Sequence, residues 1–456
     1  MAKNTPLCSE QYKFMFNSCR IPEIPSDVTR TSDPVAFNHI VVLRNNQFFT
    51  IDTLHSNGSQ LSTDELQLQI QKVYDLAGDL KDIPVGLLTT ENRDVWTNIR
   101  KQLLKLSPTN KASLDAIETA AFALCLDASK PVTREEVSRA CWHGDGRNRF
   151  FDKSLQFIVF DNGKAGFNGE HSMMDATPTS RCCDFILEGL DRGKIDLGSN
   201  GLPASALPTP KKLLFELSEP LVAAIQAAGD QFDKAVANHD LRVVVFEGYG
   251  KNLIKKLQIS PDGYAQMAIQ LAYYKMYGVS RATYESAQTK KFEFGRTETC
   301  RSTSVESVAW VKAMEDPSVS LKVKGELGRK AIASQGSYMA SAVEGHGVDR
   351  HLLGLRLLIQ PNEKKPSIFT DVAYSRSSHW NLSTSQITSE YYDGYGWGEV
   401  VADGYGIAYQ VKNNSLEFNL VSQHLNNEHL RTYFHEALHE MRAAFEASLP
   451  PQKAKL

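Results

Sequence analysis

One histidine stands where an imidazole could act as a general base. His171 ends a predicted hairpin, follows Gly169 and Glu170, and precedes Asp175 by four residues. A general base needs an imidazole near its ordinary pKa and an acidic or carbonyl partner that fixes its tautomer. Asp175 could be that partner, but a structural histidine at the end of a strand gives the same pattern. The local sequence by itself favours the structural histidine.

A group of lysines follows a strand that looks buried, LRVVVFEGYG at 241–250. Lys251 and Lys255 lie one helical turn apart directly after it. Such lysines could meet the phosphates of a ligand as point charges. The glycines of the segment form neither the GxGxxG pattern nor the GxxxxGK[ST] pattern of nucleotide-binding loops. On spacing alone, an ordinary basic helix start is the favoured interpretation.

The segment from His435 to His439 has the HExxH pattern of zinc peptidases, in which two imidazoles lie one helical turn apart. The helix that carries it places both histidines on its polar side. Its apolar stripe consists of Leu430, Phe434, Leu438, Met441 and Phe445. We therefore interpret the motif as the solvated face of a helix and predict no metal site. Bound metal would support the peptidase alternative.

The elements that must position these residues alternate between strands and helices. Apolar runs of period two, such as HIVVLRNNQFFTI and SLQFIVF, are separated by amphipathic helices, which indicates an α/β fold. Residues 191–212 are rich in glycine, proline, serine and lysine and have no periodic apolar face. The sequence therefore predicts two domains, 1–217 and 218–456.

The composition excludes several classes of function. The chain has 50 basic and 53 acidic residues, a net charge of −3, which argues against a nucleic-acid partner. No stretch approaches the roughly 20 apolar residues of a membrane span. The seven cysteines have no repeated spacing, so we expect a reducing compartment.

Neither end of the chain shows a leader sequence, but the last three residues resemble a targeting signal. Ala454-Lys455-Leu456 is a close variant of the Ser-Lys-Leu tripeptide that the peroxisomal import receptor binds. A polar tail without a function is the alternative. The N-terminal residues lack the features of a signal peptide or a transit peptide.

Several segments, taken in their order along the chain, resemble the carnitine/choline acyltransferase family. They are NTPLCSEQYKFMFNSCRIP near the start, HGDGRNRFFDKSLQFIV (143–159), GEHSMMDATPT (169–179), SPDGYAQMAIQLAYYKMYG, ATYESAQTKKFEFGRTETCRS, DRHLLGL (349–355) and STSQ (383–386). The resemblance covers nearly the whole chain. It implies two domains similar to chloramphenicol acetyltransferase, each a mixed β-sheet flanked by helices, with an active-site tunnel at their interface.

The resemblance also implies an activity, the reversible transfer of a short acyl group between CoA and carnitine. His171 would be the catalytic base, Asp175 its acidic partner, and Ser385 a donor to the oxyanion. The transfer would be direct, without an acyl-enzyme and without a cofactor, since CoA is a substrate. The implied binding residues are Lys251, Lys255, Asp262 and Gln386 for CoA and Tyr284, Ser286, Thr297 and Arg350 for carnitine.

The resemblance further implies a limit on the length of the acyl chain. In the glycine-rich stretch YYDGYGWGEVV, Tyr395 takes the place at which long-chain members have a glycine, and Trp397 is close by. We expect these side chains to fill the acyl pocket and to restrict the enzyme to acetyl and propionyl groups. The alternatives are a medium-chain acyltransferase and an inactive CoA-binding paralogue.

Some positions depart from the family pattern. Phe150 replaces a tryptophan, Asp175 is one methylene shorter than the usual glutamate, and Cys300 interrupts the GRTxxxRS segment.

Members of the family also carry helices before the NTPLC segment, so we expect an N-terminally shortened chain. Its predicted location is the peroxisome, with a mitochondrial form from a longer isoform as a further option.

Overall fold

A computed structural model describes residues 5–198 and 207–449. In this part of the chain the strands are β1 (Ser18–Ile21), β2 (Val28–Thr31), β3 (His39–Arg44), β4 (Gln47–Asp52), β5 (Ala123–Asp127), β6 (Leu155–Phe160), β7 (Ala165–Gly169), β8 (Lys211–Leu213), β9 (Asp240–Phe246), β10 (Thr283–Gln288), β11 (Thr297–Arg301), β12 (Leu382–Gln386), β13 (Tyr405–Val411) and β14 (Leu416–Ser422). The tripeptide Ala454-Lys455-Leu456 lies outside the described residues.

The α-helices of the same part are α1 (Thr63–Ala77), α2 (Arg93–Leu106), α3 (Pro108–Thr119), α4 (Arg134–Trp142), α5 (Ala176–Asp191), α6 (Glu219–Ala237), α7 (Lys251–Lys256), α8 (Pro261–Tyr277), α9 (Val305–Glu315), α10 (Leu321–Val343), α11 (Asp349–Leu357), α12 (Val372–Ser377) and α13 (Asn427–Ala447). Shorter 3₁₀ segments include Glu10–Phe14 and Val85–Thr90. Within the described ranges, no helix combines the length and the apolar character needed to cross a bilayer.

The chain forms two compact units. The N-terminal unit is Ser9–Ala237, and the C-terminal unit is Asn238–Leu456 together with Met1–Cys8. The units divide after α6, whereas the sequence predicted a boundary at 217, before that helix.

The position of the division follows from how the segment before residue 238 packs. On α6, Leu221, Ile225 and Ala228 belong to the same buried core as Leu87 of the N-terminal unit. The segment rich in glycine and proline does not end the unit either, because β8 pairs with β4 of its sheet. The change in composition at residues 191–212 does not mark the boundary between the units. The apolar face of α6 packs into the core of the N-terminal unit, and the helix therefore belongs to that unit.

The sheet of the N-terminal unit has the strand order β7-β6-β5-β3-β4-β8. Its middle strands run parallel, β6 beside β5 and β5 beside β3. The outer pairs are antiparallel: β7 with β6, β3 with β4, and β4 with β8. A further pair of strands, β1 and β2, forms a separate small sheet.

The sheet of the C-terminal unit has the order β11-β10-β12-β13-β14-β9. Here β10, β12 and β13 are parallel neighbours, and the pairs β11-β10, β13-β14 and β14-β9 are antiparallel. The sequence of parallel and antiparallel pairs is therefore the same in both sheets. The predicted α/β architecture of two mixed sheets flanked by helices is confirmed.

Alternation along β10 separates the two faces of the C-terminal sheet. Thr283, Glu285 and Ala287 are buried, whereas Tyr284 and Ser286 are only partly buried. Helix α10 lies on the buried side, where its side chains contact Glu285 and pack with Ala287. Because successive strand residues point to opposite faces, Tyr284 and Ser286 lie on the face turned away from α10.

Candidate active site

The candidate base, His171, lies in the short loop between β7 and α5. Its Nδ1 is 2.8 Å from the backbone carbonyl oxygen of Met174 and 3.9 Å from Oδ1 of Asp175. A carbonyl oxygen only accepts, so Nδ1 carries the proton in this contact and Nε2 keeps its lone pair. The His171 side chain is 75% exposed. A neutral His171 with this contact has the tautomer that a general base requires.

Asp175 occupies the N-cap position of α5, with an extended backbone. Its side chain is 13% exposed, and Oδ2 accepts a hydrogen bond from Nε2 of Gln11 at 2.8 Å. The predicted acidic partner is therefore beside the histidine, but its carboxylate is held by a glutamine that the sequence did not single out. The two residues of this bond are 164 positions apart, and no local pattern connects them.

The four residues predicted to bind carnitine come together where helix α11, which carries Arg350, meets strands β10 and β11 of the C-terminal sheet. Nη2 of Arg350 lies 3.2 Å from the hydroxyl of Tyr284 and 3.2 Å from Oγ1 of Thr297. Nε of Arg350 donates to the carbonyl oxygen of Thr297 at 3.0 Å. Ser286 donates from Oγ to the Tyr284 hydroxyl at 3.4 Å. A guanidinium beside two hydroxyl groups is a suitable binding site for a carboxylate.

A buried carboxylate fixes the backbone of Arg350. The backbone N–H of Arg350 lies 3.2 Å from each carboxylate oxygen of Glu298, which is 3% exposed. Gly347 permits this contact, since a Cβ at that position would lie 2.3 Å from Cγ of Glu298. Glu298 stands inside the segment GRTETCRS, but the sequence did not indicate this contact with a residue 52 positions away.

Ser385 and the two predicted acyl-pocket residues also lie close together. Ser385 belongs to β12, where it pairs with Ala408 of β13. The hydroxyl of Tyr395 donates to the backbone carbonyl oxygen of Ser385 at 2.5 Å. The ring of Trp397 lies 5.6 Å from the Tyr395 ring, centroid to centroid. Gln386, next along β12, donates from Nε2 to Oγ1 of Thr388.

The residues predicted to contact CoA lie on two consecutive helices. Lys251 begins α7, with Nζ 3.8 Å from Oε1 of Glu390, and Lys255 is exposed one turn later. Asp262 lies in the first turn of α8. The cationic pair on the surface agrees with the predicted phosphate contacts, which remain a prediction.

Asp262 points into a buried polar cluster of the C-terminal unit. Its Oδ1 accepts from the hydroxyl of Tyr409 at 2.7 Å, and its Oδ2 accepts from Nε2 of Gln335 at 3.2 Å. Nε2 of Gln335 also donates to Glu285 at 2.9 Å. Burial raises the pKa of Glu285 well above its ordinary value, and the negative charge of Asp262 raises it further. Both oxygens of Asp262 thus have partners inside the unit.

The HExxH segment lies on α13 and has the predicted polar side. Its apolar stripe is buried, whereas His439 is exposed and His435 is partly buried. Burial, Arg431 and His439 lower the pKa of His435. The carboxylate of Glu436 is 3.9 Å from Nζ of Lys275, on the neighbouring helix α8. Among the residues that the structure describes, no group of three or more metal-binding side chains occurs.

Comparison with known proteins decides the family. The family model of choline/carnitine O-acyltransferases matches residues 1–440. The chain belongs to this family. Human carnitine O-acetyltransferase is 36% identical to it over 461 residues, which cover 97% of this chain and 72% of the relative. The mitochondrial carnitine O-acetyltransferase of Saccharomyces cerevisiae is 36% identical over 468 residues, with 100% and 70% covered.

Relatives that act on a different alcohol are nearly as similar to this acyltransferase. The choline O-acetyltransferase of Danio rerio is 35% identical over 430 residues, which cover 91% of this chain and 67% of the relative. Overall identity therefore separates the carnitine enzymes from the choline enzymes only weakly.

Two solved structures of acyltransferases match the chain at low sequence identity and low structural similarity. The trichothecene 15-O-acetyltransferase of Fusarium sporotrichioides has 12% identity and a TM-score of 0.36, covering 74% of this chain and 78% of its own. The wax ester synthase/diacylglycerol acyltransferase of Marinobacter aquaeolei has 10% identity and a TM-score of 0.35, covering 71% and 80%. At these scores, the fold assignment rests on the strand order and pairing of the two units.

Two departures from the family pattern are accommodated in the cores. Phe150 is 2% exposed and makes an edge contact with Phe48, at a centroid distance of 6.3 Å. Cys300 is buried, and its Sγ lies 3.8 Å from the carbonyl oxygen of Gln335. Burial raises the pKa of the Cys300 thiol, so the side chain packs as a small apolar group. Neither replacement touches the candidate base or the carboxylate-binding set.

Proposed function

We propose that this protein is a carnitine O-acetyltransferase, which moves an acetyl group reversibly between CoA and carnitine. The observation that carries the proposal is the contact of Arg350, on α11, with the hydroxyl groups of Tyr284 and Thr297 on the C-terminal sheet. Carnitine differs from choline by a carboxylate, and a guanidinium flanked by hydroxyl donors binds a carboxylate. The family relationship supplies the acyl transfer, and this set supports carnitine as the acceptor.

His171 is the proposed general base. Its Nε2 takes the proton of the carnitine hydroxyl while the hydroxyl oxygen attacks the thioester carbonyl carbon of acetyl-CoA. The C–S bond then breaks, and His171 returns the proton to the departing CoA sulfur. The hydrogen bond from Nδ1 to the Met174 carbonyl supports this role, because it holds the ring and its tautomer through both proton transfers.

Ser385 is the proposed donor to the oxyanion. In the tetrahedral intermediate the former carbonyl oxygen carries a negative charge, which the Ser385 hydroxyl and the ammonium of the substrate would stabilise. One such donor typically contributes a factor of about 10²–10³ to kcat. The hydrogen bond between the Tyr395 hydroxyl and the Ser385 carbonyl supports the role, since it restrains the backbone that carries the donor.

Lys251 and Lys255 are the proposed phosphate contacts of CoA, with Gln386 and Asp262 further along the same channel. The exposed side chain of Lys255 and the helical spacing of the two lysines support this part. Asp262 is proposed to act on CoA indirectly, because both of its carboxylate oxygens already accept hydrogen bonds, from Tyr409 and from Gln335. It would shape the channel wall through that cluster.

Acetyl specificity is the proposed consequence of Tyr395. Its hydroxyl is anchored on Ser385 and its ring lies beside Trp397, so the side chain cannot move aside without losing both contacts. An acyl chain longer than a few carbons would collide with it.

The proposed location is the peroxisome, through the import receptor and Ala454-Lys455-Leu456. The yeast relative is named as mitochondrial, which keeps the mitochondrion as a second option.

A substrate panel tests the proposed function. The full chain is assayed for release of free CoA from acetyl-, octanoyl- and palmitoyl-CoA, each with carnitine or choline as acceptor. We expect acetyl-CoA with carnitine to give the highest kcat/KM and choline to react at least about 100-fold more slowly. Palmitoyl transfer at a comparable rate would contradict the acetyl assignment, and the absence of transfer with every pair would contradict the activity.

A further inference from the structure

The loop that carries His171 is held at both ends by one stretch of the N-terminal unit. This stretch, Ser9–Ile21, includes a 3₁₀ turn and strand β1. Gln11 contacts the last residue of the loop, Asp175, and Arg20 contacts its first residue, Glu170. Neither Gln11 nor Arg20 has a role in the reaction as proposed above.

Gln11 uses both ends of its side-chain amide on Asp175. Nε2 donates to Oδ2 of the carboxylate at 2.8 Å, and Oε1 accepts from the backbone N–H of Asp175 at 2.8 Å. Only a primary amide offers a donor and an acceptor in this arrangement, and Gln11 is 7% exposed. The pair fixes the position of the carboxylate and the backbone from which α5 begins.

Arg20 holds the other end of the loop through Glu170. Nη1 of Arg20 lies 3.1 Å from Oε1 of Glu170. The second oxygen of Glu170 accepts from the backbone N–H of Ser172 at 3.0 Å and from its Oγ at 2.6 Å. Residues on both sides of His171 are therefore restrained by side chains, while the imidazole itself is exposed.

We propose that Gln11 is a positioning residue for the general base. It holds the Asp175 carboxylate 3.9 Å from Nδ1 of His171, near enough to stabilise the imidazolium and too far to replace the Met174 carbonyl as the acceptor. Without Gln11, the Asp175 carboxylate loses the donor at Oδ2 and the Asp175 backbone N–H loses its acceptor, so the distance from the carboxylate to Nδ1 changes and the ring changes its orientation. The inference rests on the proposed function, because it gives His171 its catalytic role.

Steady-state kinetics of a double-mutant cycle test the proposal. We expect Gln11→Ala to lower kcat about 10-fold or more, with the KM values for carnitine and acetyl-CoA changed less than 2-fold. Asp175→Ala combined with Gln11→Ala should be no slower than Asp175→Ala alone, because Gln11 acts through Asp175. An unchanged kcat, or losses that multiply in the double variant, would overturn the proposal.

A matched control separates positioning from the loss of any glutamine. Gln71 lies on the exposed side of α1 and donates to Asp75 at 3.0 Å, so Gln71→Ala removes a bond of the same kind far from His171. It should leave kcat unchanged.

If Gln11→Ala fails to fold, Gln11→Glu keeps the size and the acceptor but loses the donor. It should show the same fall in kcat, and full activity in it would overturn the proposal.

A measurement that needs no turnover distinguishes this inference from the proposed function. In protein with ¹⁵N-labelled histidine, nitrogen–proton correlations report which ring nitrogen carries the proton, and His171→Ala identifies the signal. We expect the Nδ1–H form in the native chain and in Gln71→Ala, and an altered pattern in Gln11→Ala. An identical pattern in Gln11→Ala would refute positioning, whereas an altered pattern in a chain without transferase activity would refute the proposed function alone.

Discussion

The two sheets share one pattern of strand pairing, but the loops that follow their corresponding edge strands, β7 and β11, carry different side chains. In the N-terminal unit, the edge strand β7 is followed by His171 and then by α5. In the C-terminal unit, the corresponding edge strand β11 is followed by Ser302, Thr303 and Ser304 and then by α9. The first loop exposes an imidazole. In the second, Ser302 donates to Glu285 at 2.7 Å and Ser304 caps α9.

The comparison shows that strand order does not decide where chemistry occurs. The C-terminal unit places its polar set along one face of β10, β11 and β12, at residues separated by the alternation of the strands. The N-terminal unit places the proposed general base, His171, in a loop, and side chains from a distant segment restrain that loop. In the proposed function, the sheet face spaces side chains for binding, and the restrained loop presents one exposed side chain for proton transfer.

The largest effect should come from the loop of the N-terminal unit. We expect His171→Ala to lower kcat for acetyl transfer by about 10³-fold or more, because the proton of the attacking hydroxyl loses its acceptor. At the corresponding place after β11, Ser302→Ala should leave kcat within 2-fold and lower the free energy of unfolding by about 1–2 kcal/mol, since buried Glu285 loses a donor. Equal kinetic losses in both variants would contradict the functional difference between the loops.

The next effect concerns the strand that carries the oxyanion donor. We expect Ser385→Ala to reduce kcat by about 10²-fold, with small changes in both KM values, because the donor acts only on the intermediate. Ser375, on α12, donates to the carbonyl oxygen of Val372 and serves as the matched control. Rates of both variants with acetyl-CoA and carnitine decide the point, and a larger change in KM than in kcat for Ser385→Ala would argue for a binding role.

The third prediction concerns the proposed carnitine site at Arg350, where a substitution should change the KM for carnitine more than kcat. We expect Arg350→Ala to raise the KM for carnitine about 10- to 100-fold with little effect on the KM for CoA, since hydrogen bonds to a charged group are lost. Arg356, on the same helix α11 and exposed, is the control and should leave both KM values unchanged. An unchanged carnitine KM in Arg350→Ala would exclude this face as the carboxylate site.

The smallest effect is a pH dependence of stability in the buried cluster behind the sheet face. The pKa of Glu285 is raised in the folded chain, which therefore holds this proton to a higher pH than the unfolded chain, whose value is near 4.5. Stability is lost as the pH rises above 4.5, by at most about 1.4 kcal/mol per pH unit. Glu285→Gln removes the loss, so its free energy of unfolding relative to the native chain should increase from pH 5 to pH 8.

Urea unfolding of the two proteins across that pH range measures the difference. Glu293→Gln, at an exposed position, makes the same change in charge and is the control. A difference between Glu285→Gln and the native chain that stays constant with pH would contradict the shift. Such a result would also remove a difference between the two units. In that case Glu285, buried in the C-terminal unit, would no longer differ in protonation from Asp175, whose carboxylate accepts from Gln11 in the N-terminal unit.

Local features of the fold were predictable because their causes lie within a few residues. Helix α1 begins with a capping box, in which the Ser62 side chain accepts from the backbone N–H of Glu65, three residues later. Asn45 and Asn46, in the middle of the period-two run HIVVLRNNQFFTI, have positive φ angles of 52° and 63° and join β3 to β4. The domain boundary was not predictable in this way, because the apolar face of α6 gave no indication of which core it would join.

The sequence by itself determined the family, the chemical types at the candidate site and the elements that carry them. Its motifs stand in the family's order, and residue types such as a histidine before a carboxylate limit the possible chemistry. The tertiary structure decided which residues hold these groups in place. Gln11 meets Asp175 across 164 positions and Glu298 meets Arg350 across 52, and such contacts form only when packing brings separate strands and helices together.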